Sequence, residues 1–116
     1  MNIQRIKPGS RMSAAVVHGD TVYIAGQVAR DTAGQSVADQ TQEILGIIDA
    51  LLAEAGTVKT KLLMVNIWLS DISTFAEMNT VWDTWVATAQ TPARATVEAT
   101  LAGPQYTVEI AAIAAK

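Results

Sequence analysis

The sequence predicts a single α+β domain, residues 1–116, in which two long helices cover one face of a mixed β-sheet. Its length suits one hydrophobic core and no more. Residues 36–55 and 73–86 repeat apolar side chains at helical spacing. The segments around them are short and either apolar or alternating, as β-strands are. The predicted order is therefore β-β-α-β-α-β-β, with a candidate extra strand at residues 2–6, which is a layered architecture.

The first two strands form a predicted hairpin. Two apolar runs, residues 14–17 and 21–26, are joined by His18 and a Gly-Asp pair that suits a tight turn. The polar, glycine-containing stretch at residues 31–35 then forms a loop that leads into the first helix.

The first helix has recognisable signals at both ends. Ser36 and Asp39 have the spacing of a capping box, and Gly56 is a typical residue after a helix end. The apolar residues between them recur on one face: Ile44, Ile47, Ile48, Leu51, Leu52 and Ala55. We therefore expect this face to pack against the sheet.

A central strand and a second helix follow. Residues 62–69 are apolar at nearly every position, as in a strand covered on both faces. The next helix is predicted to begin after Asp71, with Ser73 or Thr74 as its cap, and to end before Pro92. One of its faces carries Phe75, Met78, Trp82, Trp85 and Val86, most simply as core packing against the sheet.

The last two strands are predicted to form a second hairpin. Residues 94–101 alternate strictly between apolar and polar side chains, and a turn at residues 103–104 precedes the final strand at residues 106–113. A hairpin centred on that turn would place Glu98 opposite Glu109, and a shift of one residue would send Glu109 to the core. The residues predicted to share one face are Arg94, Thr96, Glu98 and Glu109.

Composition excludes several functional classes. The net charge of -3 and the scattered basic residues argue against sequence-independent binding to nucleic acid. The chain has no cysteine, which excludes thiol nucleophiles and cysteine-based metal sites. Residues 1–17 resemble neither a signal peptide nor a membrane span, so a cytoplasmic location is expected. The mean hydropathy of +0.24 predicts that some apolar surface lies between subunits.

Arg94 and Glu109 are the candidate chemical pair. A planar guanidinium can bind a carboxylate through two parallel hydrogen bonds, and a glutamate can position and deprotonate water. Residue types alone favour the plainer alternative, a cross-strand salt bridge on a solvated face. The only histidine, His18, has no partners for a triad or a metal site. Nucleotide-binding and metalloprotease motifs are absent.

Five segments together resemble the RidA/YjgF family of reactive-intermediate deaminases, in the family's order and spacing over essentially the whole chain. They are VVHGDTVYIAGQVA (16–29), LLAEAG (51–56), NIWLSDISTFAEMN (66–79), PARATVE (92–98) and VEIAAIA (108–114). The resemblance implies a chorismate-mutase-like fold and a homotrimer with ligand clefts between subunits. It also implies that enamines and imines, chiefly 2-aminoacrylate and 2-iminopropanoate, are hydrolysed to 2-oxo acids and ammonia. No cofactor is implied.

The same resemblance assigns roles to individual residues. Arg94 matches the arginine that pairs with the substrate carboxylate, and Glu109 the glutamate that holds water. Thr96 matches a position that faces the ligand, Gly26 a glycine whose amide does so, and Asn79 a supporting asparagine on the second helix.

Two departures from the family pattern affect the expected substrate. Met12 stands where the family commonly has tyrosine, and Ala25 where it commonly has serine before the glycine. Both replacements remove hydroxyls near the expected ligand, which places the chain in a divergent branch. They also keep an alternative open: a non-catalytic trimer that binds or senses small carboxylates such as 2-oxo acids. Nucleic-acid cleavage is the least favoured alternative because of the acidic charge balance.

Overall fold

A computed structural model describes residues 1–116 as one six-stranded mixed sheet with two helices packed on one face. The strands are β1 (Ile3–Pro8), β2 (Ser13–His18), β3 (Thr21–Val28), β4 (Leu62–Leu69), β5 (Ala93–Glu98) and β6 (Val108–Ala115). The helices are α1 (Val37–Glu54) and α2 (Phe75–Trp85). In the sheet the order is β1-β2-β3-β6-β4-β5, and only the β4–β5 pair is parallel. The predicted α+β class, the first hairpin and the extra strand are confirmed.

Helix α1 begins and ends where the sequence predicts. The Ser36 hydroxyl accepts a hydrogen bond from the backbone N–H of Asp39 at 3.1 Å. Gly56 has a φ of +84°, a left-handed conformation that ends a helix at little steric cost for glycine. The side chains of α1 that face the sheet are almost fully buried: Ile44, Leu45, Ile48, Leu51 and Leu52. Neither helix is both long and apolar enough to cross a membrane.

Helix α2 begins where the sequence predicts, with Thr74 as its N-cap residue, although the Thr74 side chain makes no capping hydrogen bond. Asp71 caps the turn before the helix: its carboxylate accepts from the backbone N–H of Ser73 at 2.9 Å and from the Ser73 hydroxyl at 2.7 Å. The Thr74 hydroxyl donates to the backbone carbonyl of Asp71 instead. A short 3₁₀ turn, Ile72–Thr74, therefore precedes the helix.

The two faces of the sheet have different environments. In β4, Val65 and Ile67 are 1% exposed beneath the helices, while Met64 and Trp68 on the other face remain half-buried. The prediction that both faces of β4 are covered is therefore wrong for a single chain, because both helices lie on the same side. We call the uncovered side the open face. Its apolar residues include Tyr23, Val28, Met64, Trp68, Ala95, Val97, Ala111 and Ile113.

The predicted hairpin between the last two strands is also wrong. β6 lies between β3 and β4, while β5 pairs with the far side of β4 and forms the sheet edge. A helical crossover joins β4 to β5 and favours their parallel pairing. The connection after β5 then passes the end of β4, held by backbone hydrogen bonds from Ala99 to Leu69 and from Ser70 to Thr107.

This strand order changes the predicted sharing of faces. Arg94 pairs with Val65 and Thr96 with Ile67, so both point toward the helix side. Glu109 pairs with Trp68 and points to the open face. The two members of the candidate pair therefore lie on opposite faces of one sheet, with β4 between their strands.

Candidate ligand-binding site

Arg94 lies at the sheet edge beneath two aromatic rings of α2. Its guanidinium carbon is 5.1 Å from the ring centroid of Trp82 and 5.7 Å from that of Phe75. Seven residues separate the two aromatics, so they occupy the same helix face two turns apart. The ring faces thus hold the arginine, and the N–H donors at the edge of its planar guanidinium remain available to an anion.

Partial burial lowers the pKa of this arginine without removing its positive charge. Loss of contact with water lowers the pKa of the Arg94 guanidinium, and attraction to the Asp83 carboxylate opposes that change. An arginine in a protein stays protonated even so. Arg94 therefore carries a positive charge that is partly withdrawn from water, which strengthens its attraction to an anion.

Two polar atoms beside Arg94 have no hydrogen-bond partner. The Oδ1 atom of Asn79 and the Oγ1 atom of Thr96 are both buried and unpaired. Asn79 lies on α2 between Phe75 and Trp82, and Thr96 follows Arg94 by two residues on the same strand face. A buried polar atom left unpaired costs about 1–3 kcal/mol. The three residues form one group, which we call the Arg94 half-site.

Glu109 lies on the other face, over a β-bulge. Between the pairs Ile24–Ala112 and Gln27–Ile110, two residues of β3, Ala25 and Gly26, oppose a single residue of β6. A Cβ atom on Gly26 would overlap Oε2 of Glu109 and lie 3.0 Å from its Cδ. The carboxylate therefore lies against bare backbone, and a side chain at position 26 would force the Glu109 carboxylate to move.

A cleft of about 260 Å³ opens beside this bulge. It is lined by Lys7, Met12, Ala14, Gly26, Gln27, Val28 and Arg30. Met12 is 58% exposed and forms part of the wall. Ala25 lies in the bulge itself, where its carbonyl accepts a hydrogen bond from Gln27. We call Gly26, Glu109 and this cleft the Glu109 half-site.

The structure thus brings the predicted site residues together as two groups. Arg94, Thr96 and Asn79 form one half-site, and Gly26 and Glu109 belong to the other, with Met12 and Ala25 beside it. Because the groups lie on opposite faces, a small ligand cannot contact Arg94 and Glu109 of the same chain at once. The prediction of one shared face is wrong.

Sequence reasoning missed a glutamine that positions the start of β6. Gln40 is fully buried in α1, where a polar residue would be expected to face solvent. Its amide nitrogen donates to the carbonyls of Gln35 and Gln105, and its amide oxygen accepts from the N–H of Thr107, two residues before Glu109. Nothing in helical periodicity distinguishes a structural glutamine of this kind from a surface one.

Other residues of the two half-sites were also missed or misassigned. Phe75 was predicted as core packing, yet it is 41% exposed and its ring faces Arg94. The same prediction is confirmed for Trp82, which belongs to the core while its ring also faces Arg94. Lys7 and Arg30 were not considered, although an uneven distribution of charge along the chain was a signal that could have found them.

Comparisons with known proteins agree with this architecture. A family model described as endoribonuclease L-PSP matches residues 2–116. A RutC family protein from Haemophilus influenzae is 46% identical over 114 residues, covering 98% of both chains. The RutC family protein YoaB from Escherichia coli is 39% identical over 115 residues, covering 99% of both. The crystal structure of a YjgF family protein from Neisseria meningitidis superposes with a TM-score of 0.96 at 42% identity, covering 100% of this chain and 96% of that one.

The contact between Gly26 and Glu109 predicts a specific coupling. Gly26→Ala should lower the free energy of unfolding by about 1–3 kcal/mol, because the new methyl group overlaps the carboxylate. Adding Glu109→Ala to that variant should recover most of the loss, measured by urea denaturation at one protein concentration.

Gly46→Ala is the matched control. A Cβ there meets nothing within 4 Å, and the exposed helix position should gain up to about 1 kcal/mol from alanine. Additive effects of the substitutions at 26 and 109 would show that the two residues do not interact.

Proposed function

The chain belongs to the YjgF/RutC family, whose matching model is described as endoribonuclease L-PSP, and we propose that it hydrolyses reactive enamine and imine intermediates to 2-oxo acids and ammonia. Substrates of the 2-aminoacrylate and 2-iminopropanoate type are proposed. The main support is Arg94, a cation whose guanidinium lies against the rings of Phe75 and Trp82. The reaction needs a carboxylate anchor and a directed water, and it needs no cofactor.

Arg94 binds the substrate carboxylate in this proposal. Contact with the faces of Phe75 and Trp82 fixes the guanidinium without using its N–H donors, so two of them remain for a bidentate hydrogen bond. The unpaired oxygens of Asn79 and Thr96 lie on the same side and can accept from, or bridge through water to, the bound ligand.

Glu109 activates water. The C2 atom of an imine is already electrophilic, so the carboxylate needs only to take a proton as the water oxygen bonds to C2. The resulting carbinolamine is protonated on nitrogen and loses ammonia as its C2–O bond becomes a carbonyl, which gives the 2-oxo acid. An enamine first gains a proton at C3 to become the imine. The bulge at Gly26 lets the Glu109 carboxylate lie close to the backbone, which restricts its direction.

The complete site is proposed to form between neighbouring copies of a cytoplasmic homotrimer. The open face offers an apolar surface to a second copy, with Val97 50% and Tyr23 46% exposed in the single chain. A head-to-tail contact that closes into a ring can bring the Arg94 half-site of one copy to the Glu109 half-site of the next. Both groups would then face one ligand.

A non-catalytic binder of 2-oxo acids is the second candidate. The specific observation in its favour is the missing hydroxyls: Met12 lines the cleft and Ala25 lies in the bulge, so neither can orient water beside Glu109. The same Arg94 would hold a 2-oxo acid. Turnover measurements separate this candidate from the deaminase.

RNA is a weaker candidate substrate despite the family description. Nucleases that grip RNA without sequence preference depend on clustered positive charge, and this chain has a net charge of -3. The residues proposed to react are an arginine and a glutamate suited to a small carboxylate.

Arg94→Ala should abolish imine hydrolysis. An amino-acid oxidase acting on alanine generates 2-iminopropanoate, and semicarbazide trapping reports the imine that remains. Wild-type protein should accelerate imine decay, and loss of a charge-assisted bidentate contact should lower kcat/KM by roughly a hundredfold or more.

Glu98→Ala is the control on the same strand. Its carboxylate accepts from the backbone N–H of Ile72, so its loss affects the α2 entry and not the proposed chemistry. Imine decay that is equally fast with and without the wild-type protein would refute the deaminase proposal.

The assembly proposal predicts a mass of about 37 kDa in solution, three times the 12.3 kDa of one chain. Ala111→Glu should shift the mass toward the monomer and abolish hydrolysis together, since it places a charge on the apolar open face. Analytical ultracentrifugation checks the mass. Ala50→Glu, at an exposed position of α1, should change neither property. A wild-type monomer with full activity would contradict the intersubunit site.

A further inference from the structure

Two exposed cations line the cleft beside Glu109. Lys7 of β1 and Arg30, which follows β3, both contribute to its wall. Most other lining groups are apolar or small, as with Met12, Ala14 and Val28. An aqueous cleft with two positive charges and few competing acceptors is suited to an anionic group.

Positive charge is concentrated at this end of an acidic protein. Of the eight basic residues, four lie within the first 30 positions, where Asp20 is the only acidic residue. Residues 31–116 contain the other four basic residues and ten acidic ones. Residues 1–30 therefore carry a formal charge of +3 in a chain whose total is -3. Such an asymmetry raises the local concentration of anions near β1 and β3.

Lys7 also has an unusual backbone conformation. Its φ of +49° is left-handed, which is uncommon for a residue other than glycine. Backbone conformations of this kind persist where the surrounding structure enforces them, and they cluster at ligand sites. Its β1 neighbours pair with β2, Ile6 with Ala15 and Pro8 with Ser13, but Lys7 has no partner residue on β2. Its side chain is instead part of the cleft.

We infer that Lys7 and Arg30 bind a second acidic group of the substrate, so that imines of dicarboxylic 2-amino acids are preferred over those of neutral ones. The inference rests on the proposed function, because it assigns the substrate class of the same site. The first carboxylate of the substrate is assigned to Arg94, and the lining of the cleft contains two cations, Lys7 and Arg30, but no carboxylate. A second acidic group of the substrate can pair with these cations, whereas the imine of a neutral amino acid leaves them without a partner.

The size of the cleft favours a small molecule. At about 260 Å³ it lies just below the usual range for ligand pockets. It suits the side-chain carboxylate of a four- or five-carbon acid. Extended polyanions such as RNA would need a basic surface that continues beyond the cleft, and the rest of the chain is acidic.

The inference is tested by comparing the hydrolysis of an acidic imine with that of a neutral one. D-aspartate oxidase converts D-aspartate to the dicarboxylic imine, and D-amino-acid oxidase converts D-alanine to 2-iminopropanoate. The ratio of kcat/KM for the acidic imine to that for the neutral one should exceed about tenfold in the wild type, and it should fall by at least about tenfold in the double variant Lys7→Met, Arg30→Met. Lys61→Met, at an exposed position outside the cleft, should keep the wild-type ratio. A wild-type ratio near one, with turnover present, overturns this inference and leaves the proposed function standing.

Equilibrium binding separates the two proposals. Calorimetric titration with 2-oxoglutarate and with 2-oxobutanoate should show tighter binding of the dicarboxylate in wild-type protein, and the preference should vanish in the double variant. If no imine is hydrolysed but this preference is found, the catalytic proposal fails and the dicarboxylate site stands. Equal affinities for the two acids, or displacement of 2-oxoglutarate by a short single-stranded RNA at comparable concentration, would overturn the site assignment.

Discussion

The parallel pairing of β5 with β4 is the constraint on which the rest of the structure depends. It places Arg94 beside Val65 on the helix side, while the antiparallel pairing of β6 with β4 turns Glu109 to the open face. Side chains of paired strands cannot change faces without a shift of register, and such a shift would expose buried residues of β4. Each chain therefore carries two half-sites that face away from each other. In the single chain the open face stays apolar and partly exposed.

The charged side chains of the two half-sites, Arg94 and Glu109, are positioned by different contacts. Arg94 is fixed by the rings of Phe75 and Trp82, so its position is set while its N–H donors stay free for an anion. Glu109 is fixed by the close approach of its carboxylate to the backbone at Gly26, which the β-bulge makes available. Arg94 makes its closest described contacts with aromatic rings, and Glu109 lies against backbone, which suits both charged groups to act on a ligand.

Local sequence patterns predicted most elements of the fold, because helical periodicity, capping residues and short apolar runs are set by neighbours in the chain. Ser36 and Gly56 mark the ends of α1, and the Gly-Asp turn marks the first hairpin. The order of strands was not predictable in the same way. A turn at residues 103–104 suggested a hairpin, yet the pairing of β6 with β3 and β4 depends on contacts far apart in sequence. Family resemblance assigned roles to Arg94 and Glu109 from their places in the matching segments, and those roles stay a prediction. The positions of Phe75 against Arg94 and of Lys7 and Arg30 in one cleft required the structure, since tertiary contacts alone bring these side chains to the two half-sites.

Complementation between two inactive variants tests most directly whether the site is shared between copies. Arg94→Ala and Glu109→Ala proteins are unfolded, mixed in equal amounts and refolded together, and imine hydrolysis is compared with that of each variant refolded alone. In a randomly mixed cyclic trimer, about a quarter of the interfaces combine an intact Arg94 from one copy with an intact Glu109 from the next, so roughly a quarter of wild-type activity should return. A mixture that forms trimers but is no more active than its separate components would show that the two residues do not act across one interface.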